Sequence, residues 1–177
     1  MTASHPAART SRPVVLVTGA NRGIGRAVAH ELAADHHLLL GGRDEQALAA
    51  LAAELPSAEP VVAELTDPAD LDRALTGLAL EEGLAGLVHS AGILVNGSIE
   101  ELTPADWERN FAVNVTAVSE LTRRLLPALR AARGSSVAAC RREDRCSFAT
   151  PAALVQPRAP ISSAMVWKNR RSSSKRV

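Results

Sequence analysis

One stretch near the start of the chain decides the fold: Val14-Val15-Leu16-Val17-Thr18-Gly19-Ala20-Asn21-Arg22-Gly23-Ile24-Gly25. An apolar run over 13–18 is bounded by proline and glycine, which is typical of a strand buried on both faces. A helix is predicted over 23–34, because apolar residues recur there at helical spacing on one face. Strand, glycine turn and helix together predict the beginning of a nucleotide-binding α/β domain.

The pattern of a strand followed by a helix repeats along the chain. Since strands alternate with helices, the sequence predicts a Rossmann-like, doubly wound parallel sheet that is truncated after about the fifth strand. Asp67 and Thr103 are each followed by proline, which predicts a helix beginning at both positions. The predicted strands lie at 13–18, 38–42, 60–63, 85–89 and 134–139, and the helices at 23–34, 44–55, 67–78 and 104–133.

The glycine turn predicts a phosphate-binding site. Gly19, Gly23 and Gly25 allow a tight turn and a close approach of backbone N–H groups to an anion at the helix N-terminus. Thr18 can anchor this turn through its hydroxyl. Three glycines could also form a purely structural turn, but the strand before them and the helix after them favour cofactor binding.

Arginines near this turn favour NADP over NAD. An acidic residue about 20 residues past such a turn holds a ribose 2′-hydroxyl, whereas an arginine accommodates a 2′-phosphate. At that place the chain has Gly41-Gly42-Arg43, with no acid from the strand end until Asp44, and Arg22 lies inside the turn itself. The alternative is that Arg43 is a solvated surface charge.

Composition divides the chain near Val137. Residues 1–137 hold 11 arginines and 17 acidic residues, a net charge of −6, whereas 138–177 hold 9 basic and 2 acidic residues, a net charge of +7. We therefore predict a disordered leader over 1–12, an incomplete NAD(P)-binding domain over 13–139 and a basic low-complexity tail over 140–177. The tail is interpreted as disordered or as the product of a shifted reading frame.

Several other classes of function are not favoured. The only two cysteines, Cys140 and Cys146, have no second pair and no nearby histidine, so no metal site is expected. The apolar runs are too short for a membrane span, and two cysteines without an export signal predict the cytoplasm. The basic tail has almost no aromatic residues beside its charges, so nucleic-acid association through it is not favoured.

Residues 13–137 resemble the classical short-chain dehydrogenase/reductase family. Residues 18–25 resemble its cofactor turn, and Leu87-Val88-His89-Ser90-Ala91-Gly92 is similar to its fourth strand and the motif after it, with histidine and serine in place of two asparagines. The resemblance, together with Arg43, implies a set of cofactor-binding residues: Thr18, Gly19, Asn21, Arg22, Gly23, Ile24, Gly25, Arg43, Glu64, Leu65, Ser90, Ala91 and Gly92.

The resemblance also implies hydride transfer between a nicotinamide and a small carbonyl or alcohol substrate. In the family, a serine and a Tyr-x-x-x-Lys motif follow the fifth strand and carry the acid–base chemistry. This chain has no tyrosine and no matching serine or lysine. For Asn114 the resemblance implies a role in organising a catalytic water, and it is the only catalytic residue retained. The chain is therefore expected to be inactive.

Two further interpretations stay open. The chain could be a non-catalytic module that binds NADP or a partner protein. It could also form a homo-oligomer through the predicted 104–133 helix, because a sheet that stops early would leave Leu121, Leu125 and Leu129 uncovered.

Overall fold

The computed structural model describes residues 12–78, 80–140 and 146–149. Strands and helices alternate through most of this range. In chain order the elements are β1 Val14–Thr18, α1 Gly23–Leu32, β2 His37–Gly42, α2 Glu45–Glu54, β3 Ala58–Val62, α3 Pro68–Thr76, β4 Gly86–His89, α4 Pro104–Phe111, a π turn Ala112–Thr116, α5 Ala117–Ala131, β5 Ser136–Cys140 and β6 Cys146–Ala149.

The strands form one sheet in the order β3-β2-β1-β4-β5-β6. The first five strands pair in parallel, which confirms the predicted doubly wound sheet. Leu16 at the centre of β1 lies between Leu39 of β2 and Leu87 of β4. The chain order reverses between β1 and β4, so their carboxyl ends flank the crevice where such sheets bind ligands.

Alternate residues of the strands supply two separate cores. Val17 and Leu40 face the side covered by α1 and α2, where they contact a cluster that includes Leu48 and Leu51. Leu16, Leu39 and Leu87 face the opposite side and contact α3 and α5. Burial on both faces explains why the central strands are continuous apolar runs.

Two helices begin where the sequence predicts. The Asp67 carboxylate accepts hydrogen bonds from the backbone N–H groups of Ala69 and Asp70, and Pro68 occupies the first helical position. Thr103 and Asp106 form a reciprocal capping box before α4, with Pro104 at its start. Each cap satisfies N–H groups that have no partner within the helix.

The predicted helix over 104–133 is helical from Pro104 to Ala131 but contains a π turn, and its apolar side is not exposed. The π turn separates α4 from α5, and α5 ends at Ala131. Leu121, Leu125 and Leu129 are buried against the sheet, so the prediction that they are uncovered is wrong. The single extra residue of a π turn rotates the following side chains around the helix axis. The large apolar residues exposed in this region are Trp107, Phe111 and Val115.

The edge of β5 also differs from the prediction. A short antiparallel strand, Cys146–Ala149, pairs with Val137–Cys140 and covers the edge of β5 that a sheet truncated after its fifth strand would leave unpaired. The other residues of the predicted tail, and residues 1–11 of the predicted leader, lie outside the described residues. Arg12 is described, and its guanidinium donates a hydrogen bond to the carbonyl of Ala33 at 3.1 Å.

Candidate functional site

The candidate site lies where the carboxyl ends of β1 to β4 meet at one edge of the sheet. The turn after β1, the residues after β2 and β3, and the loop after β4 all leave the sheet here. The parallel topology therefore brings together the sequence-predicted residues around Gly19, Arg43, Glu64 and Ser90. Asn114, in the π turn, contacts the same loop after β4.

Each of the three positions in the turn favours glycine for a different structural reason. A methyl group on Gly25 would lie 2.3 Å from the carbonyl oxygen of Gly19, and one on Gly19 would lie 2.8 Å from the backbone of Ala91. Gly23 has a positive φ of 55°, and a methyl group there would meet no atom of the described residues within 4 Å. The backbone is therefore closed behind the turn and open in front of it at the N-terminus of α1. An open backbone concavity at a helix N-terminus suits a phosphate group.

The hydroxyl of Thr18 joins β1 to the loop after β4. It accepts hydrogen bonds from the backbone N–H groups of Ser90 and Ala91, both at 3.1 Å, and donates to the carbonyl of Val88 at 3.3 Å. Thr18 is 1% exposed. Its side chain therefore shapes the crevice from behind, because its hydrogen-bonding groups are already occupied.

Arg22 and Ile24 extend from the front of the turn. Arg22 immediately precedes α1 with extended backbone angles, and its side chain is exposed. Ile24 is 42% exposed although it is apolar and lies in the first turn of α1. Neither position is explained by the core, so both side chains are available to a ligand. Asn21, between the turn and the helix, is half-buried.

Arg43 and Glu64 form an ion pair across the ends of β2 and β3. The Arg43 Nη1 donates to Glu64 Oε2 at 3.2 Å, and the side chains are 70% and 38% exposed respectively. The second carboxylate oxygen of Glu64 accepts hydrogen bonds from Thr66. Those hydrogen bonds and the Arg43 charge outweigh partial burial and hold the pKa of Glu64 below its ordinary value. Leu65 follows and packs against the α5 side of the core.

Both polar atoms of the Asn114 side chain bind the backbone of one residue. Its Nδ2 donates to the carbonyl of Ile93 at 2.8 Å, and its Oδ1 accepts from the Ile93 N–H at 3.0 Å. A methyl group on Gly92 would lie 3.1 Å from the same Oδ1. The side chain of Asn114 is therefore a structural link between the π turn and the loop after β4.

His89, which replaces an asparagine of the family motif, is buried at the end of β4. Its Nε2 lies 2.9 Å from the hydroxyl of Thr122, which itself donates to the carbonyl of Val118 at 2.7 Å. Because that hydroxyl has only one proton and donates it to Val118, Nε2 carries a proton and donates to Thr122. Burial lowers the pKa of His89 to about 4. The histidine thus ties β4 to α5.

An apolar groove, which the sequence analysis missed, borders the Asn114 link. It has a volume of about 420 Å³ and is lined by residues that include Leu94, Trp107, Phe111 and Val115. The rings of Trp107 and Phe111 lie 6.4 Å apart. The spacing of 107, 111 and 115 by four residues was the available sequence signal, because such residues share one helix face.

Two classes of feature are absent from the part of the chain that the structure describes. No group of three or more histidine, cysteine, aspartate or glutamate side chains is arranged to hold a metal ion within it. Each helix there is too short or too polar to cross a bilayer.

Comparison with known proteins places this arrangement in a family. A family model described as "short chain dehydrogenase" matches residues 13–140. Nodulation protein G of Rhizobium sp. (strain N33) is 39% identical over 124 residues, which cover 67% of this chain and 50% of that protein.

Two similar solved structures are described as containing NADPH. A short-chain dehydrogenase from Sphingobium yanoikuyae in complex with NADPH is 36% identical, with a TM-score of 0.57 over 65% of this chain and 47% of that one. NADPH-bound carbonyl reductase from chicken fatty liver is 34% identical, with a TM-score of 0.62 over 67% of this chain and 49% of that one. The chain thus spans about half the length of the relatives it matches.

Proposed function

The chain belongs to the short-chain dehydrogenase family, and on this premise we propose that it binds NADP(H) across the carboxyl edge of its sheet. The observation that carries the proposal is the contrast between the glycines. Gly19 and Gly25 are closed against backbone, whereas Gly23 opens onto free space at the N-terminus of α1. The NADPH complexes of two similar proteins support the same cofactor.

The residues at this edge suit the parts of the cofactor. The first turn of α1 offers N–H groups and a positive partial charge to the diphosphate. Arg22 and Arg43 offer positive charge to the 2′-phosphate, and Glu64 and Leu65 border the adenine. Asn21, Ile24 and the loop Ser90–Gly92 complete the proposed site. When bound, NADP(H) supplies the nicotinamide ring that takes up or gives up hydride.

We further propose that this chain binds the cofactor without turnover on small carbonyl or alcohol substrates. It has no tyrosine to exchange the substrate proton. The Asn114 amide is occupied by Ile93. The imidazole of His89 is buried and neutral, and its Nε2 proton is donated to Thr122. A positioned acid or base contributes roughly 10²–10⁴-fold to a rate, so its loss removes most of the catalysis.

A partner-binding role is the second candidate, and the apolar groove favours it. Trp107 is 43% exposed, Phe111 57% and Val115 54%. Exposed apolar patches of this kind mark association surfaces. The proposal therefore places any homo-oligomer contact at the exposed Trp107, Phe111 and Val115, and not at the buried leucines of α5. The low cysteine content supports a reducing, cytoplasmic location.

Nucleotide titration tests the cofactor proposal. Wild-type chain, Arg43→Asp and the control Arg133→Asp are titrated with NADPH and NADH, followed by nucleotide fluorescence. We expect wild type to prefer NADPH and Arg43→Asp to lose about tenfold in NADPH affinity, because a charge-assisted hydrogen bond is lost. Arg133→Asp should match wild type. If the wild-type chain binds neither NADPH nor NADH, the proposal is overturned.

A turnover assay tests the second part. NADPH oxidation is followed with a panel of small aldehydes and ketones, at several chain concentrations. We expect no oxidation above the rate without chain. Steady oxidation that scales with chain concentration would overturn the proposed inactivity and leave the binding proposal standing.

A further inference from the structure

We propose that Glu64 weakens the preference of this site for NADP over NAD by competing with the 2′-phosphate for Arg43. The inference rests on the proposed cofactor site and adds a specificity-determining residue to it. It assigns Glu64 a role through the arginine in addition to its place beside the adenine.

The geometry makes Glu64 the fixed member of the pair. Its Oε1 accepts hydrogen bonds from the Thr66 N–H at 3.2 Å and from the Thr66 hydroxyl at 2.9 Å. Its own N–H donates to the Asp70 carboxylate at 2.7 Å. Within the described residues the Arg43 side chain bonds only to Glu64, and it is 70% exposed against 38% for Glu64. The carboxylate therefore determines where the guanidinium lies.

The charges explain the effect on the cofactor. The carboxylate of Glu64 is ionised at neutral pH, and its Oε2 accepts from Arg43 Nη1 at 3.2 Å. A 2′-phosphate approaching Arg43 must share or displace this hydrogen bond. The negative charge of the Glu64 carboxylate also repels the phosphate. A ribose 2′-hydroxyl carries no charge and can donate to a carboxylate, so NAD does not meet the same opposition.

The Glu64→Gln variant separates this role from folding. Glutamine keeps an acceptor oxygen for Thr66 but removes the charge that holds Arg43. Because an exposed ion pair contributes little, the expected effect is about a fivefold gain in affinity for 2′-phosphorylated ligands. Glu120→Gln is the matched control, since Glu120 is a partly exposed carboxylate that pairs with Arg123 and Arg124 on α5.

Calorimetric titration with two nucleotides provides the test. Adenosine 2′,5′-bisphosphate carries the 2′-phosphate and adenosine 5′-monophosphate does not, so their affinity ratio isolates the phosphate. We expect Glu64→Gln to raise this ratio about fivefold at low salt, Glu120→Gln to leave it unchanged, and the gain to vanish in an Arg43→Ala background.

The outcomes distinguish the inference from the proposed function. An unchanged or lower ratio in Glu64→Gln, with both nucleotides still binding, would overturn the inference while cofactor binding stands. A gain that persists in the Arg43→Ala background would also overturn it, because the effect would not run through Arg43. If neither nucleotide binds the wild-type chain, the proposed function fails and the inference fails with it.

Discussion

Asn114 holds Ile93 by two hydrogen bonds, one from its Nδ2 to the Ile93 carbonyl at 2.8 Å and one to its Oδ1 from the Ile93 N–H at 3.0 Å. A side-chain amide here imitates a strand neighbour for a loop that has none. The π turn that carries Asn114 is thereby attached to the loop that follows the fourth strand.

Replacing Asn114 by alanine should destabilise the fold. Two hydrogen bonds are lost at about 1 kcal/mol each, so we expect the free energy of unfolding to fall by about 2 kcal/mol. Urea denaturation followed by circular dichroism measures the change. Asn96→Ala, at an exposed position in the same loop region, is the control and should be neutral. A neutral Asn114→Ala would mean that water replaces the amide without cost.

Alanine at the glycines should separate the closed from the open positions. At Gly25 the new methyl would lie 2.3 Å from a backbone carbonyl, so we expect loss of folding or a loss above about 3 kcal/mol. At Gly23 the methyl meets nothing, and only the positive φ costs about 1–2 kcal/mol. Thermal melts of the two variants measure the order.

Gly77→Ala is the control for this pair. Gly77 ends α3 with a φ of −80°, and a methyl group there meets nothing within 4 Å. We expect its melting temperature to match or slightly exceed that of the wild-type chain, because alanine restricts the unfolded chain. A Gly25→Ala variant as stable as Gly77→Ala would contradict the closed geometry of the turn.

Acid should destabilise the chain through His89. Burial lowers the pKa of His89 from its ordinary 6.5 to about 4, so between these values the unfolded chain binds a proton that the folded chain does not. Stability should therefore fall as the pH drops from 6.5 to 4, by about 3 kcal/mol in total. Urea midpoints should therefore depend less on pH in His89→Asn than in the wild-type chain over this range. Equal slopes in the two proteins would refute the assignment.

Self-association, if the second candidate function is correct, should depend on the apolar groove. Phe111→Glu places a charge on a face that also carries Trp107 and Val115, and it should shift the chain towards monomer in light scattering after size exclusion. Ile99→Glu changes a residue that is 79% exposed and does not line the groove, so it should have no effect. An unchanged mass in Phe111→Glu would exclude this surface as the contact.

Much of the fold followed from local chemistry that a sequence displays directly. The run Val14–Thr18 is apolar at every position except the last, because both faces of the central strand are covered. Asp67 and Thr103 cap their helices with groups only two or three residues away. Such short-range hydrogen bonds depend little on the rest of the molecule, so their positions could be predicted.

Two kinds of feature could not be predicted: a change of helical register, and contacts between residues that are far apart in the sequence. The π turn adds one residue to a helix, which rotates the following side chains by about 100°. The exposure of Leu125 was predicted because the sheet was expected to stop early, but the strands already present cover that face of α5. The Arg43–Glu64 pair joins residues 21 positions apart, and no local pattern indicates that the two candidate site residues bind each other.

The residues that hold the crevice together are different from those that are exposed to a ligand. The hydrogen bonds of the Thr18 hydroxyl to Val88, Ser90 and Ala91 hold two loops from inside, where no ligand reaches. Arg22 and Arg43 stand on those and neighbouring turns as exposed side chains that the core does not need. Substitutions at Arg22 or Arg43 should therefore change which ligand binds without disturbing the hydrogen bonds that hold the two loops together.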